Sequence, residues 1–341
     1  MFHLTIIQAM EYIINNKSVL EQLPALTPNG VEISSGSQPF IEANTIQMGI
    51  QEMQDQHIIP VWATSNEPLI SHSEFIETMW EYIHTHYRGE RILKPNIRVS
   101  HPIKGRIPEA KHKPAKDLEP WEQTIYYERM MFVIEIPSIC DEVNGNLLSL
   151  TIGGVKSYNL DNLYSKRAHG DQHFQLFIGF QNKVCCNMCV WSDGMKEEVG
   201  IKSRSQLKYA IDNLLGNYRG GQHLNSLRQM NEVGLSETEF AQVIGRARMH
   251  KHMPDRNKKG IPEILLGDQQ LNAVVHDYYK DQNFGNESGG DISLWRFYNL
   301  LTGANKSTYI DSFLERSVNA HEISQHVLKH KTGQKQFWYL G

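Results

Sequence analysis

Along this chain the spacing of hydrophobic positions changes character, and each change marks a different kind of element. In SHSEFIETMWEYIHTHY, Phe75, Ile76, Met79, Trp80, Ile83 and Tyr87 recur every three or four residues. That spacing gathers them on one face of a helix and predicts a surface helix over this stretch. Ser71 and Glu74 just before it carry the pattern of a capping box. The opening stretch, MFHLTIIQAMEYIINN, also reads as an amphipathic helix, because it has neither the basic leader nor the small-residue cleavage site of a secretion signal. Residues 22–45, rich in Pro, Gly, Ser and Asn without any period, read as a linker. HIIPVWA, just ahead of the helix, reads as a short strand.

The middle of the chain has short apolar runs bounded by turn residues. NIRVSHPI is one predicted strand. MMFVIEIPSI and LLSLTIGGVKSYNL flank an Asn144-Gly145 pair, which predicts a hairpin. HFQLFIGF and KVCCNMCVW predict a second hairpin, turning at Gln181 and Asn182. Hairpin after hairpin needs no crossover, so the sheet is expected to be mainly antiparallel.

From Ser203 the helical spacing returns, with Leu207, Ala210, Ile211, Leu214 and Leu215 on one face up to Asn217. LSETEFAQVIGRARMH follows, opened by a second capping box at Ser236 and Glu239. PEILLGDQQLNAVVHDYYK, SLWRFYNLLTG and DSFLERSVNAHEISQHVLKH complete the set, with QNFGNESGGD as a loop among them. Leu294, Trp295, Phe297, Tyr298 and Leu301 make a stripe too broad for a free surface helix, so Trp295 is expected in the core. The expected fold is α+β: a mainly antiparallel sheet in the middle, helices packed on it, and a helical C-terminal third. The organisation read from the pattern is 1–45 as N-terminal helix and linker, 46–225 as the α+β core and 226–341 as the helical region.

Composition changes this picture little. Of 341 residues, 40% are hydrophobic and 21% charged, as in soluble globular proteins. No apolar run approaches the roughly 20 residues that span a bilayer, so no membrane partner is expected. Cys140, Cys185, Cys186 and Cys189 make no disulfide framework, since three lie within 185–189, and reduced thiols in the cytoplasm are the simpler reading.

Several stretches come near a catalytic motif and miss. HEISQH places His321 and His326 five apart, about 140° around a helix, where one zinc cannot join them. Cys186 and Cys189 form a CxxC without the second pair of a zinc ribbon, in what reads as strand sequence. TGANKST, from Thr302 to Thr308, and GGVKS lack the glycines that let backbone amides cradle phosphate. LSETEFAQVIGRAR resembles the first helix of a helix-turn-helix, but Pro254 and Pro262 stand where the recognition helix should follow. His169, Asp171 and His173 could offer imidazoles to a metal, yet no other placed ligand accompanies them. Neither a metal nor another cofactor is expected.

Charge is the more informative signal. The net charge is -4 but unevenly spread. Arg88, Arg91, Lys94, Arg98, Lys104, Arg106, Lys111, Lys113 and Lys116 face only Glu90 and Glu109 within their stretch, a net +7. Arg246, Arg248, Lys251, Arg256, Lys258 and Lys259 face only Asp255, a net +5. Such runs suit a polyanion, because each phosphate neutralised releases counterions. The candidate nucleic-acid contacts are Arg98, Lys104, Arg106, Lys111, Lys113, Arg246, Arg248, Lys258 and Lys259.

In RVSHPIKGRIPEA, YYERMMFVIEIPSI, GFQNKVCCNMCVW and LWRFYNLLTGANKSTYIDSFLERSVNA the chain resembles an uncharacterised family of bacterial mobile elements, a domain of unknown function. More remotely it is similar to a phage/plasmid-like group of unknown function, through Cys185 and Asn187 on one strand and Trp295, Asn299 and Thr302 on one helix. The resemblance implies a setting of conjugative or phage-like DNA. The expected role is binding of nucleic acid, with single-stranded DNA favoured, in recombination, replication or transfer. Strand annealing and a homo-oligomer are expectations by analogy of fold alone. The competing classes are a metal-dependent or other enzyme using His and carboxylate groups, and a protein-interaction factor acting on host defence.

Overall fold

The apolar runs of the middle become long neighbouring strands. The computed structural model describes residues 39–56, 70–158, 172–286 and 290–341. The strands are β1 (Ile46–Met48), β2 (Asn96–Val99), β3 (Pro102–Arg106), β4 (Gln123–Tyr127), β5 (Arg129–Val143), β6 (Asn146–Ser157), β7 (Gln172–Asn182) and β8 (Met188–Ile201). Six of them form one sheet in the order β1-β2-β5-β6-β7-β8, each pair antiparallel. β3 and β4 pair with each other in a separate two-stranded sheet. The Asn144-Gly145 turn forms where expected, with φ of 51° and 74° at its two residues, and closes the pair Val143 and Asn146. Only residues that tolerate positive φ fit that turn.

The strand sequences are continuous and not alternating because both faces of the sheet are covered. One face carries Phe132, Ile134, Ile152, Phe174 and Ile178. Phe75, from the predicted helix, which spans His72–His86, meets Phe132 and Phe174 edge-on at centroid distances of 5.1 and 4.8 Å. Gly154 of β6 makes this approach possible, since a Cβ there would run into the Phe75 ring. The opposite face carries Met131, Val133, Val155, Phe177 and Val190, packed with Phe40, Ile41, Phe313, Leu314 and Val318. Each such aromatic or aliphatic side chain contributes about 1.5–3 kcal/mol by leaving water.

The helices are α1 (Ile50–Gln56), α2 (His72–His86), α3 (Arg204–Asn217), α4 (Gly220–Asn231), α5 (Glu237–His252), the short α6 (Asp255–Lys258), α7 (Asp268–Lys280), α8 (Leu294–Asn305) and α9 (Ile310–Lys331). A two-residue ladder joins β9 (Gly234–Leu235) to β10 (Ile292–Ser293), immediately before α5 and α8. Both predicted capping boxes are made, at Ser71 with Glu74 and at Ser236 with Glu239. The predicted face of α3 is buried at Leu207, Ala210, Ile211, Leu214 and Leu215. Trp295 is wholly buried, as its stripe demanded. The α+β class and the antiparallel pairing thus hold. The described residues form one compact unit, and α9 runs along β8 with further contacts to β5 and β6.

Three local expectations are corrected. NIRVSHPI is two strands in two sheets, because Ser100 and Arg129 close the end of the β2–β5 ladder through bonds of 2.9 and 3.1 Å and the chain then leaves it. The second hairpin does not turn at Gln181 and Asn182, which stay paired in β7 with Ser149 and Leu148. Instead the Asn182 side chain accepts from the Val184 amide at 2.9 Å and the reversal runs over 183–187. Cys185 and Cys186 therefore lie in the turn, Cys186 with φ 56°, and only Cys189 lies in the strand. The predicted N-terminal helix, the HIIPVWA strand, most of the linker, and His169 and Asp171 lie outside the described residues. Among the described residues no helix is long and apolar enough to cross a membrane.

Candidate nucleic-acid interface

The first basic run is divided among three places. Arg88, Arg91 and Lys94 lie between α2 and β2. Arg98 belongs to β2, where its Nε donates to Thr45 Oγ1 at 3.1 Å. Burial pulls the Arg98 guanidinium below its ordinary pKa, while nearby Glu42 opposes the shift. Lys104 and Arg106 stand on β3, opposite Ile125 and Gln123 of β4. Lys111, Lys113 and Lys116 follow in the connection between the two strands, which is built from three short 3-10 turns around the buried Ala110.

That connection is fixed by its own residues. Arg106 donates through Nη1 to the Lys113 carbonyl. Lys113 pairs with Glu122. Glu122 also accepts from the Glu119 amide at 2.9 Å, and the Ile107 amide donates to the Glu122 carbonyl at 2.9 Å. The bond from Lys113, then that from the Glu119 amide, hold the Glu122 carboxyl below its usual pKa. The fold thus brings Glu122 back onto Lys113, and residues 102–127 as a whole carry five cations against four carboxylates. Lys104, Lys111 and Lys116 remain exposed and without an ion-pair partner among the described residues. In the same connection Trp121 is 72% exposed, an indole presented to solvent on a braced arm.

The second basic run sits on α5 and α6. Arg246 donates to the Trp338 carbonyl and lies 5.3 Å from the Trp338 ring centroid. Arg248 donates to Asn272 Oδ1 on α7. Lys251 pairs with Asp268 at 3.2 Å and Lys258 with Asp255 at 3.5 Å. Arg256 and Lys259 are exposed without such partners among the described residues. Here the cations dock α5 on α7 and on the C-terminal segment. No hydrogen bond or ion pair joins this run to the β3–β4 arm among the described residues.

Two further buried polar groups belong to neither run. Lys156 on β6 is fully buried, its Nζ 4.0 Å from the Phe174 ring centroid and 3.5 Å from Gln172 Oε1. Its position was readable: Leu148, Leu150 and Ile152 face inward, so every second residue beyond them, to 156, does too. The second group pairs His223 of α4 with His321 of α9, ring centroids 5.6 Å apart and edge-on. Tyr218 Oη lies 2.8 Å from His223 Nδ1, and Ser226 Oγ 3.0 Å from His321 Nε2. Burial lowers both pKa values, to about 4 for His321. His326 lies elsewhere, stacked on Phe337 at 5.5 Å. No group of three His, Cys, Asp or Glu side chains is placed to hold a metal ion among the described residues. Desolvation also raises the thiol pKa values of Cys185, Cys186 and Cys189, to about 11 for Cys185, which makes them weak nucleophiles and ligands near neutrality.

Residues 26–340 match the family described as "Domain of unknown function, B. Theta Gene description (DUF3871)". No curated protein and no solved structure matches the chain.

Proposed function

We propose that this chain, which belongs to the DUF3871 family of domains of unknown function, binds nucleic acid, single-stranded DNA first, through its β3–β4 arm. The observation that carries the reading is Trp121, 72% exposed on an arm that also presents Lys104, Lys111 and Lys116. A solvent-facing ring gives a base a surface to stack on, and cations beside it meet the backbone. Arg106, Lys113 and Glu122 brace the arm. Strand β3 of the arm, with Lys104, lies within RVSHPIKGRIPEA, one of the stretches that resemble mobile-element proteins, and this supports a role in recombination, replication or transfer of such DNA. Arg256 and Lys259 give a second, separate contact for a longer strand. The four unpaired thiols are in keeping with a cytoplasmic setting.

Fluorescence anisotropy with labelled single strands across a salt series tests the reading, with duplex and RNA as comparators. Each phosphate contact adds about -0.7 to the slope of log affinity against log salt. Lys104→Glu with Lys111→Glu is expected to weaken binding to all sequences alike and to flatten that slope, because phosphate contacts carry no sequence information. Trp121→Ala should cost about 1–3 kcal/mol and leave the slope unchanged. Folded protein that shows no binding at about 50 mM salt, where electrostatic contacts are strong, would refute the proposal.

A further inference from the structure

A cleft of about 350 Å³ opens where the start of α9 meets α7 and the segment ahead of β1. Its lining is mainly polar. Arg316 enters it half-buried, and its hydrogen-bond partner is a neutral one, Thr308 Oγ1, to which Nη1 donates at 3.0 Å. No carboxylate lies within ion-pair distance of Arg316 among the described residues. Burial lowers the guanidinium pKa, with Glu315 close enough to oppose the shift. A guanidinium carries five N–H donors, so most of this fork is left for an acceptor from outside, and its geometry matches a phosphate.

The surroundings narrow the acceptor further. Thr308 uses its hydroxyl oxygen to accept from Arg316, which leaves its proton to donate, and the Ser312 hydroxyl has no partner among the described residues. Ser307 is committed elsewhere, donating to the Ala304 carbonyl at 2.8 Å and accepting from Gln270 at 3.3 Å. Asp311, the carboxylate of the first turn of α9, bonds to Arg129 and Ser157. Tyr309, 62% exposed, stands at the rim. Carboxamides of Asn44, Gln269 and Gln270 complete the wall.

We propose that the cleft binds a nucleotide by its phosphomonoester, with Arg316, Thr308 and Ser312 on the phosphate and Tyr309 against the base. One cation suits one phosphate. The neighbouring Lys306, which gives TGANKST its likeness to a phosphate loop, donates to the Cys185 carbonyl and lies outside the lining, so a triphosphate lacks its second charge. The volume exceeds what phosphate alone fills and falls near the lower end of the roughly 300–1,000 Å³ of small-ligand sites. The nucleotide is either free or the phosphorylated end of a strand, and both present the same chemistry.

The test titrates the full chain with a nucleoside 5′-monophosphate, the matching nucleoside, inorganic phosphate, and oligonucleotides ending in 5′-phosphate or 5′-hydroxyl. The monophosphate is expected to outbind the nucleoside and phosphate. Arg316→Gln should weaken it by about tenfold or more, the scale of a charged hydrogen bond. Ser312→Asp guards against simple unfolding, because a carboxylate in the first turn favours the helix while repelling phosphate. Tight binding of the free monophosphate identifies a free nucleotide, and a gain confined to phosphorylated ends identifies a strand terminus. Equal binding of nucleoside and monophosphate, or Ser312→Asp with unchanged melting temperature and unchanged affinity, would overturn the site. Strands ending in 5′-hydroxyl read the β3–β4 arm alone, so failure of the cleft and failure of the arm are separable.

Discussion

Trp295 lies wholly inside the protein, its ring 6.0 Å from that of Tyr298 and its indole Nε1 without an acceptor among the described residues. Its contribution is therefore packing, not hydrogen bonding. Trp295→Ala should destabilise the fold by about 3–5 kcal/mol, read by urea denaturation, and Trp295→Phe by much less, since no bond to the indole is lost. An alanine variant as stable as the parent would show the site to be plastic. At this scale, legibility depended on neighbours along the chain. Trp295 announced itself through its stripe; Lys156 went unread, although the two-residue repeat of β6 places it on the same face as Leu148, Leu150 and Ile152. The pairing of Lys113 was not readable, because the carboxylate that neutralises it, Glu122, lay beyond the end of the run as counted. A charge run is one-dimensional, and the ion pairs that cancel it are not.

At the scale of elements, signals complete within a few residues were realised and those needing a distant partner were not readable. The capping boxes and the Asn144-Gly145 turn are of the first kind. The split of NIRVSHPI is of the second, since it turns on a bond between Ser100 and Arg129. Helix α4 escaped notice because it opens on Gly220 and Gly221, which argue against helix, and is held by burial of His223, Leu224, Leu227 and Met230. The Ser236 box shows what a local signal contributes. Ser236 Oγ accepts from the Glu239 amide at 3.3 Å, and Glu239 reaches back to the Ser236 amide at 2.9 Å while also bonding Lys331 of α9 at 2.6 Å. Ser236→Ala is expected to cost about 1 kcal/mol, and Ser236→Asp, which keeps a capping oxygen, only a fraction of that. Equal losses in denaturant midpoint for the two would mean that the Lys331 contact, not the cap, holds this end of α5.

For the whole molecule, the His223–His321 pair is where several layers meet. His223 comes from α4, His321 from α9, and Trp191 of β8 stands 5.5 and 6.1 Å from their rings. The groups facing them are the Tyr218 and Ser226 hydroxyls and the Tyr298 ring at 5.9 Å, with no carboxylate among these contacts to stabilise an imidazolium. Both pKa values are therefore depressed by burial, His223 further by its neighbour His321. An unfolded chain takes up these protons near pH 6.5, whereas the folded chain refuses them until about pH 4 at His321. The unfolded state thus binds more protons as pH falls below about 6.5, and linkage makes folding stability fall with it. His321 alone accounts for about 3 kcal/mol of loss by pH 4, at about 1.36 kcal/mol per unit. Half-buried His326, also depressed, adds to the loss. The depressed carboxylates Glu122, Asp141 and Glu239 act in the same direction, but only below their unfolded values near 4. Unfolding free energies measured between pH 7 and 5 therefore isolate the histidines. The expected slope is positive with pH, and His321→Phe should reduce it whatever that change does to absolute stability. A flat profile in the parent protein would mean that protons reach the folded rings, and that the layers meeting at α4, α9 and β8 are open to water.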